Sequence, residues 1–93
     1  MDKILQQSIE RAAAALRASG AGAVYIFGSA ASDTPGPDSD VDFAVSGLPM
    51  ESFFVAMGKA RDALGRDLDM IDLDDDNPFT RYLKEEGELR RVL

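Results

Sequence analysis

Two aspartates separated by a single residue are the feature of this sequence best suited to chemistry. Asp40 and Asp42 stand at the head of an apolar segment that has the alternation of a strand. Residues two apart on a strand point to the same side, roughly 6–7 Å apart along it. Carboxylates so placed can share one or two hard cations, and a pair of Mg²⁺ ions can clamp the attacking and leaving oxygens of a phosphoryl displacement. The spacing therefore predicts a metal-dependent phosphoryl-transfer site.

A Gly-Ser pair precedes these acids in the sequence. Gly28-Ser29 directly follows a short apolar segment, and ten residues separate it from Asp40. A glycine removes the side chain where a triphosphate must approach the backbone. Ser29 and the N–H groups of such a turn can hold the β and γ phosphates. We therefore predict that Gly28 and Ser29 contact a nucleotide, although a Gly-Ser pair without the acids would indicate only a turn.

A third carboxylate is expected on the next predicted strand, where Asp69 and Asp72 are both available. Such a group can complete a metal site or accept a proton from the attacking nucleophile. Alternation along the strand places Asp69 and Asp72 on opposite faces, so only one of them can lie at the site. The residues by themselves leave this choice open.

The elements that must position these groups follow from hydrophobic periodicity. Apolar residues at helical spacing predict helices over residues 2–18 and 50–64. Short apolar segments rich in strand-forming residues predict strands over 23–27, 41–46 and 68–73. The predicted apolar stripe of the second helix consists of Met50, Phe53, Phe54, Met57, Ala60 and Leu64.

The rest of the chain adds a loop, a last helix and an apolar end. Residues 30–39 have the composition of a loop, and Asn77-Pro78 supplies a capping side chain and then the proline typical of a first helical position. The apolar residues from Leu89 to Leu93 either fold back onto the core or meet a partner. We predict one α/β domain over residues 1–93, with a three-stranded mixed sheet and helices packed mainly on one face.

Composition narrows the chemistry. The chain has no Cys and no His, which excludes thiolate chemistry, disulfides, histidine bases and nearly every kind of zinc site. A metal must then be held by oxygen atoms, which favours Mg²⁺ or Mn²⁺.

Net charge and chain length restrict the classes of partner that this chain is expected to bind. Acidic residues outnumber basic ones 17 to 10, giving a net charge of −7, so direct binding to nucleic acid is not expected. A domain of 93 residues has only a small core, so a protein partner is expected. No secretory segment opens the chain and no apolar run could cross a membrane, so we predict a cytoplasmic protein.

The motifs together resemble a known superfamily. Gly28-Ser29, the ten-residue spacer, Asp40-Val41-Asp42 and the hydrophobic strand that follows resemble the signature of nucleotidyltransferases related to DNA polymerase beta. The small size resembles the minimal nucleotidyltransferase (MNT) branch, often found as the antitoxin of HEPN/MNT toxin–antitoxin pairs. Residues 68–73 and 77–87 are similar to the tail of that branch, so the resemblance covers most of the chain.

The resemblance implies a specific reaction and a specific partner. Members of this branch are expected to transfer AMP from ATP to a tyrosine of the HEPN ribonuclease toxin and so silence it, within a hetero-oligomer. Carried over by position, Asp40 and Asp42 are metal ligands for Mg²⁺, in a site with room for two ions. Asp69 is the third carboxylate, because the family's acid precedes the hydrophobic run. The alternative is an antitoxin that acts by binding alone, with an inactive nucleotidyltransferase site.

Overall fold

Helices and strands follow the predicted order in the computed structural model, which describes residues 3–28, 40–86 and 89–93. The predicted loop over 30–39 and the nucleotide contact assigned to Ser29 lie outside the described residues. In chain order the elements are α1 (Lys3–Ala18), β1 (Ala23–Phe27), β2 (Val41–Ser46), a 3-10 turn (Met50–Ser52), α2 (Phe53–Leu64), β3 (Leu68–Asp72), α3 (Pro78–Glu85) and β4 (Arg90–Arg91).

The predicted mixed sheet is confirmed, and a short strand extends it at one edge. The strand order is β3-β2-β1-β4, with β2 parallel to β3 and β1 antiparallel to both β2 and β4. Beyond β4, the Val92 N–H donates to the carbonyl of Val24 at 2.9 Å, and the Val24 N–H donates to the carbonyl of Leu93 at 3.0 Å. Of the two alternatives for the apolar end of the chain, the structure therefore shows that it folds back, because the outer edge of β1 offers unpaired backbone groups.

The sheet buries one face beneath two helices. Alternate residues of β1 and β2 (Val24 and Ile26, then Val41, Phe43 and Val45) are at most 1% exposed and belong to the same apolar cluster as residues of α1 and α2. The two helices also pack against each other, and the alanines of both that line the cluster are fully buried, which lets the helix axes approach closely. Strand alternation consequently turns the other residues of β1 and β2 toward the opposite face.

The predicted apolar stripe of the second helix is partly wrong. Met50 and Phe54 are both 76% exposed, whereas Phe53 and Met57 pack against the core as expected. The helix begins with a 3-10 turn that shifts Met50 out of phase, and Phe54 lies about 100° around the helix from Phe53. Within the described ranges, the helices are all too short or too polar to cross a membrane.

Helix α3 contacts the opposite face of the sheet and has a well-formed start. The ring of Phe79 contacts the ring of Phe27, with centroids 5.9 Å apart and planes at 67°. Asn77 Oδ1 accepts a hydrogen bond from the Thr80 N–H at 2.9 Å, and Thr80 Oγ1 accepts one from the Asn77 N–H at 3.1 Å. Pro78 occupies the first helical position, as the sequence predicts. This reciprocal cap fixes where the helix begins.

Replacing the capping side chain should measurably weaken the fold. Asn77→Ala leaves the Thr80 N–H without its acceptor, and we expect the free energy of unfolding to fall by about 1 kcal/mol. Urea denaturation of the parent and variant chains measures this difference. Asn77→Ser is the matched control, because serine caps helices about as well as asparagine. Equal losses in the two variants would show that the side-chain cap does not stabilise the helix.

Candidate active site

The strand register brings Asp42 and Asp69 together on the face of the sheet away from α1 and α2. Asp42 on β2 is directly opposite Asp69 on the parallel strand β3, and directly opposite Phe27 on the antiparallel strand β1. Side chains of directly paired residues lie on the same face, and neighbouring strands are about 4.8 Å apart. Asp69, Asp42 and Phe27 therefore form a line across three strands, which we call the cross-strand row.

A glycine with an unusual backbone conformation borders the middle of the cross-strand row. Gly28 has φ of +70°, in the left-handed region that favours glycine. A Cβ atom built on Gly28 would lie 2.6 Å from Oδ2 of Asp42, well inside van der Waals contact. The backbone at Gly28 can approach the Asp42 carboxylate this closely because residue 28 has no side chain.

The electrostatics of Asp42 reflect its surroundings. Partial burial raises the pKa of the Asp42 carboxyl, and the negative charges of Asp69 and Asp40 raise this pKa further. Asp40 and Asp69 are both exposed, whereas Asp42 is half-buried next to Gly28. The three carboxylates repel one another, and a cation bound among them would relieve this repulsion.

The two candidates for the third carboxylate lie in different places. Asp69 is beside Asp42, whereas Asp72 is opposite Val45 near the far end of β3. The Asp72 carboxylate accepts a hydrogen bond from the N–H of Asp74 at 2.9 Å, which holds the turn after the strand. The structure thus brings together Asp40, Asp42, Asp69 and Gly28, and it leaves Asp72 outside this group.

The carboxylates do not form a closed metal cage. In the part of the chain that the structure describes, no group of three acidic side chains converges on one point as a ready-made cation site. Mg²⁺ nevertheless fits this donor set, because it is a hard cation that proteins usually hold through one or two carboxylates together with substrate phosphates. The neighbouring carboxylates of Asp42 and Asp69, open to solvent on one side, leave room for such phosphates.

An aromatic pair beside the acids was not predicted as part of the site. The sequence predicted only a strand over residues 23–27 and the start of a helix at Asn77-Pro78, and it assigned neither Phe27 nor Phe79 to the site. Phe27 is the residue directly before Gly28, so its position next to the predicted phosphate turn was the signal available in the sequence. The contact between Phe27 and Phe79 had no such signal, because it depends on where α3 crosses the sheet.

A mixed sheet with neighbouring carboxylates next to a glycine of positive φ is the arrangement expected of a nucleotidyltransferase. The family model described as "Polymerase beta, Nucleotidyltransferase" matches residues 13–89, and the chain belongs to this family. A comparison with the curated proteins finds no significant match.

Solved structures with the same fold come from toxin–antitoxin complexes. A chain of a toxin–antitoxin structure with AMP-PNP superposes with a TM-score of 0.69 at 24% identity, covering 86% of this chain and 68% of that one. A chain of the MntA–HepT toxin–antitoxin structure gives 0.67 at 20% identity, with 95% and 71% covered. A chain of the tri-AMPylated Shewanella oneidensis HEPN toxin in complex with MNT antitoxin gives 0.65 at 22% identity, with the same coverage of 95% and 71%. At these identities the similarity establishes the fold.

Proposed function

We propose that this nucleotidyltransferase is an antitoxin that transfers AMP from ATP to a protein, a tyrosine of a partner HEPN toxin, and so neutralises it. The observation that carries the proposal is the pairing of Asp42 with Asp69 on adjacent strands, next to Gly28. The family membership supports transfer of a nucleotidyl group. The AMP-PNP and the AMPylated toxin named for structures of the same fold support the nucleotide and the acceptor class.

Each site residue has a role in the proposal. Asp40, Asp42 and Asp69 would hold Mg²⁺, which when bound supplies Lewis-acid stabilisation of the negative charge on the phosphate oxygens. Gly28 gives the triphosphate access to the backbone, and Ser29 contacts its phosphates. The three carboxylates are thus assigned to the reacting α phosphate, and Gly28 and Ser29 are assigned to the β and γ phosphates that leave.

The transfer itself is an in-line displacement at the α phosphorus. The acceptor oxygen forms a bond to this phosphorus while the bond from phosphorus to the oxygen bridging the α and β phosphates breaks, and pyrophosphate leaves with the electron pair. The acceptor hydroxyl loses its proton, which Asp69 accepts. Asp69 suits this role because it is exposed on the edge strand β3, where an incoming side chain can reach it.

The openness of the site favours a macromolecular acceptor. Asp40 and Asp69 are both exposed, and no described element covers the cross-strand row on its β3 side. A surface of the partner would therefore complete the active site and exclude water from it, as closing elements do in larger enzymes. The protein is accordingly proposed to work in a hetero-oligomer, and its cytoplasmic location stays a prediction.

Intact masses of a co-purified partner test the proposal. The chain is expressed with its native neighbourhood, and whatever co-purifies is weighed before and after incubation with ATP and Mg²⁺. We expect the partner to gain mass in steps of one AMP group, and the Asp40→Ala/Asp42→Ala double variant to abolish the gain. Glu51→Gln, which removes a charge from the exposed 3-10 turn, is the matched control and should leave the gain unchanged. A tightly bound partner whose mass never changes would contradict the proposed activity.

A second candidate is an antitoxin that acts by binding alone. It is favoured by the absence of a converged three-carboxylate group among the described residues. The two candidates differ in how the Asp40→Ala/Asp42→Ala variant behaves in a toxin-neutralisation assay. An enzyme loses neutralisation with the two acids, whereas a binder keeps it as long as the folded variant still co-purifies with the partner.

A further inference from the structure

An aromatic side chain on α3 contacts the cross-strand row and remains half exposed. Phe79 is 50% exposed, although its ring contacts Phe27 at a centroid distance of 5.9 Å. Phe27 is the member of the cross-strand row that lies directly opposite Asp42. Phe79 is therefore joined to the cross-strand row through Phe27, its member on β1, and half of the Phe79 side chain is open to solvent.

Two sets of contacts hold Phe79 in place. Asn77 and Thr80, which flank Phe79 in the sequence, form the cap that fixes the start of α3. The Thr80 side chain that completes this cap is only 2% exposed. The edge-to-face contact with Phe27 orients the ring itself. An apolar surface that is both exposed and fixed in position is suited to receive a flat ligand without a large entropy loss.

Another exposed phenylalanine in the chain lacks these neighbours. Phe54 is 76% exposed and makes a similar edge-to-face contact with Phe53, at 5.5 Å and 85°. It lies on α2, which covers the other face of the sheet, so no residue of the cross-strand row is near it. Exposure and aromatic pairing are thus shared by Phe54 and Phe79, and only Phe79 combines them with the acids.

We propose that Phe79 stacks on the base of the bound nucleotide and that the Phe27–Phe79 pair forms the base-binding wall of the active site. The inference rests on the proposed function, because it assumes that the phosphates lie at Asp42 and Gly28. One ribose links the α phosphate to the base, so the base must lie close to the carboxylates. On the β3 side of Asp42 the row presents another carboxylate, and on the β1 side it presents aromatic rings, on which a base can stack.

The chemistry of stacking determines what this wall can recognise. Every base has a π face, so an aromatic ring stabilises bases without selecting strongly among them. The Phe27–Phe79 pair should therefore strengthen binding of ATP and GTP to a similar degree. Inorganic tripolyphosphate, which has no base, should gain nothing from it.

Binding of three probes to the full chain tests the inference. Calorimetry with Mg²⁺ and ATP, GTP or inorganic tripolyphosphate is run on the parent chain and on Phe79→Ala. We expect Phe79→Ala to weaken ATP and GTP about tenfold and to leave tripolyphosphate unchanged. Unchanged tripolyphosphate binding also shows that the variant is folded at the site. Phe79→Tyr should restore the affinity for ATP, and Phe54→Ala is the matched control that should not alter any of the three.

Each other outcome overturns the inference in a recognisable way. If Phe79→Ala binds ATP as tightly as the parent chain, the base does not stack on Phe79. If that variant then loses only the transfer of AMP to a protein, Phe79 contacts the acceptor protein instead. An equal loss for ATP and tripolyphosphate would mean that Phe79 supports the fold of the site and not the base. If the parent chain binds none of the three probes, the proposed function fails together with the inference.

Discussion

Asp42→Asn is expected to lower the rate of AMP transfer by at least about a thousandfold while making the protein more stable at neutral pH. The loss of rate follows from the position of Asp42 in the middle of the cross-strand row, between Asp69 and Gly28. Asparagine keeps the shape of the side chain and removes the negative charge that would hold the cation. The gain in stability follows from the same charge, which the folded protein tolerates poorly.

The pH dependence of this gain has a definite sign. Burial and the charges of Asp69 and Asp40 raise the pKa of Asp42 in the folded state above its value in the unfolded chain. The folded state therefore binds the proton more tightly, and ionising Asp42 lowers the free energy of unfolding as pH rises from the unfolded pKa through the folded one. The penalty is absent below the unfolded pKa and complete above the folded pKa. Because Asp42 is only partly buried and is screened by solvent, we expect it to be about 0.5 kcal/mol.

Two measurements on the same variant check the prediction. Partner mass gain over time gives the transfer rate, and urea denaturation between pH 3 and pH 7 in EDTA gives the stability difference between Asp42→Asn and the parent. The difference should be positive at pH 7 and vanish toward pH 3. Glu51→Gln serves as the control for removing one negative charge elsewhere. A variant that is no more stable than the parent at pH 7 would contradict the crowding of charge at this site.

Gly28→Ala is expected to impair both folding and transfer. A non-glycine residue at the φ of +70° found here costs about 1–2 kcal/mol, so the free energy of unfolding should fall by about that amount. The added methyl group would also lie 2.6 Å from Oδ2 of Asp42, and the carboxylate must turn away to relieve this contact. A misplacement of about 1 Å in a catalytic group can reduce rates about a hundredfold, which is the loss of transfer we expect.

Gly58→Ala is the matched control for this substitution. Gly58 lies within α2, and a Cβ built there meets no atom within 4 Å. Alanine in a helix interior should raise the free energy of unfolding by about 0.5–1 kcal/mol and leave transfer unchanged. Gly58→Ala shows what an added methyl group does away from the site, so any further loss in Gly28→Ala is due to the position of residue 28 next to Asp42. Full transfer by Gly28→Ala would show that the present orientation of Asp42 is not required.

Local features of the sequence were sufficient for much of the fold. Strand alternation alone predicted that Asp40 and Asp42 lie on one face of the second strand and that Val41 and Phe43 lie on its other, buried face. The start of α3 was predicted from Asn77-Pro78, because capping and the proline preference act within a single turn. The prediction failed where helix phase mattered, since Met50 was assigned to the apolar stripe of the second helix and is 76% exposed.

The sequence by itself determined which chemical groups are present and on which side of their own strand they lie, because both follow from residue type and the twofold periodicity of a strand. The choice of Asp69 over Asp72 as the neighbour of Asp42 was decided by the register of two parallel strands joined through a helix. The contact of Phe79 with Phe27 was likewise decided by the packing of α3 on the sheet. Both depend on the burial of apolar side chains from distant parts of the chain, and local propensities carry no information about that pairing.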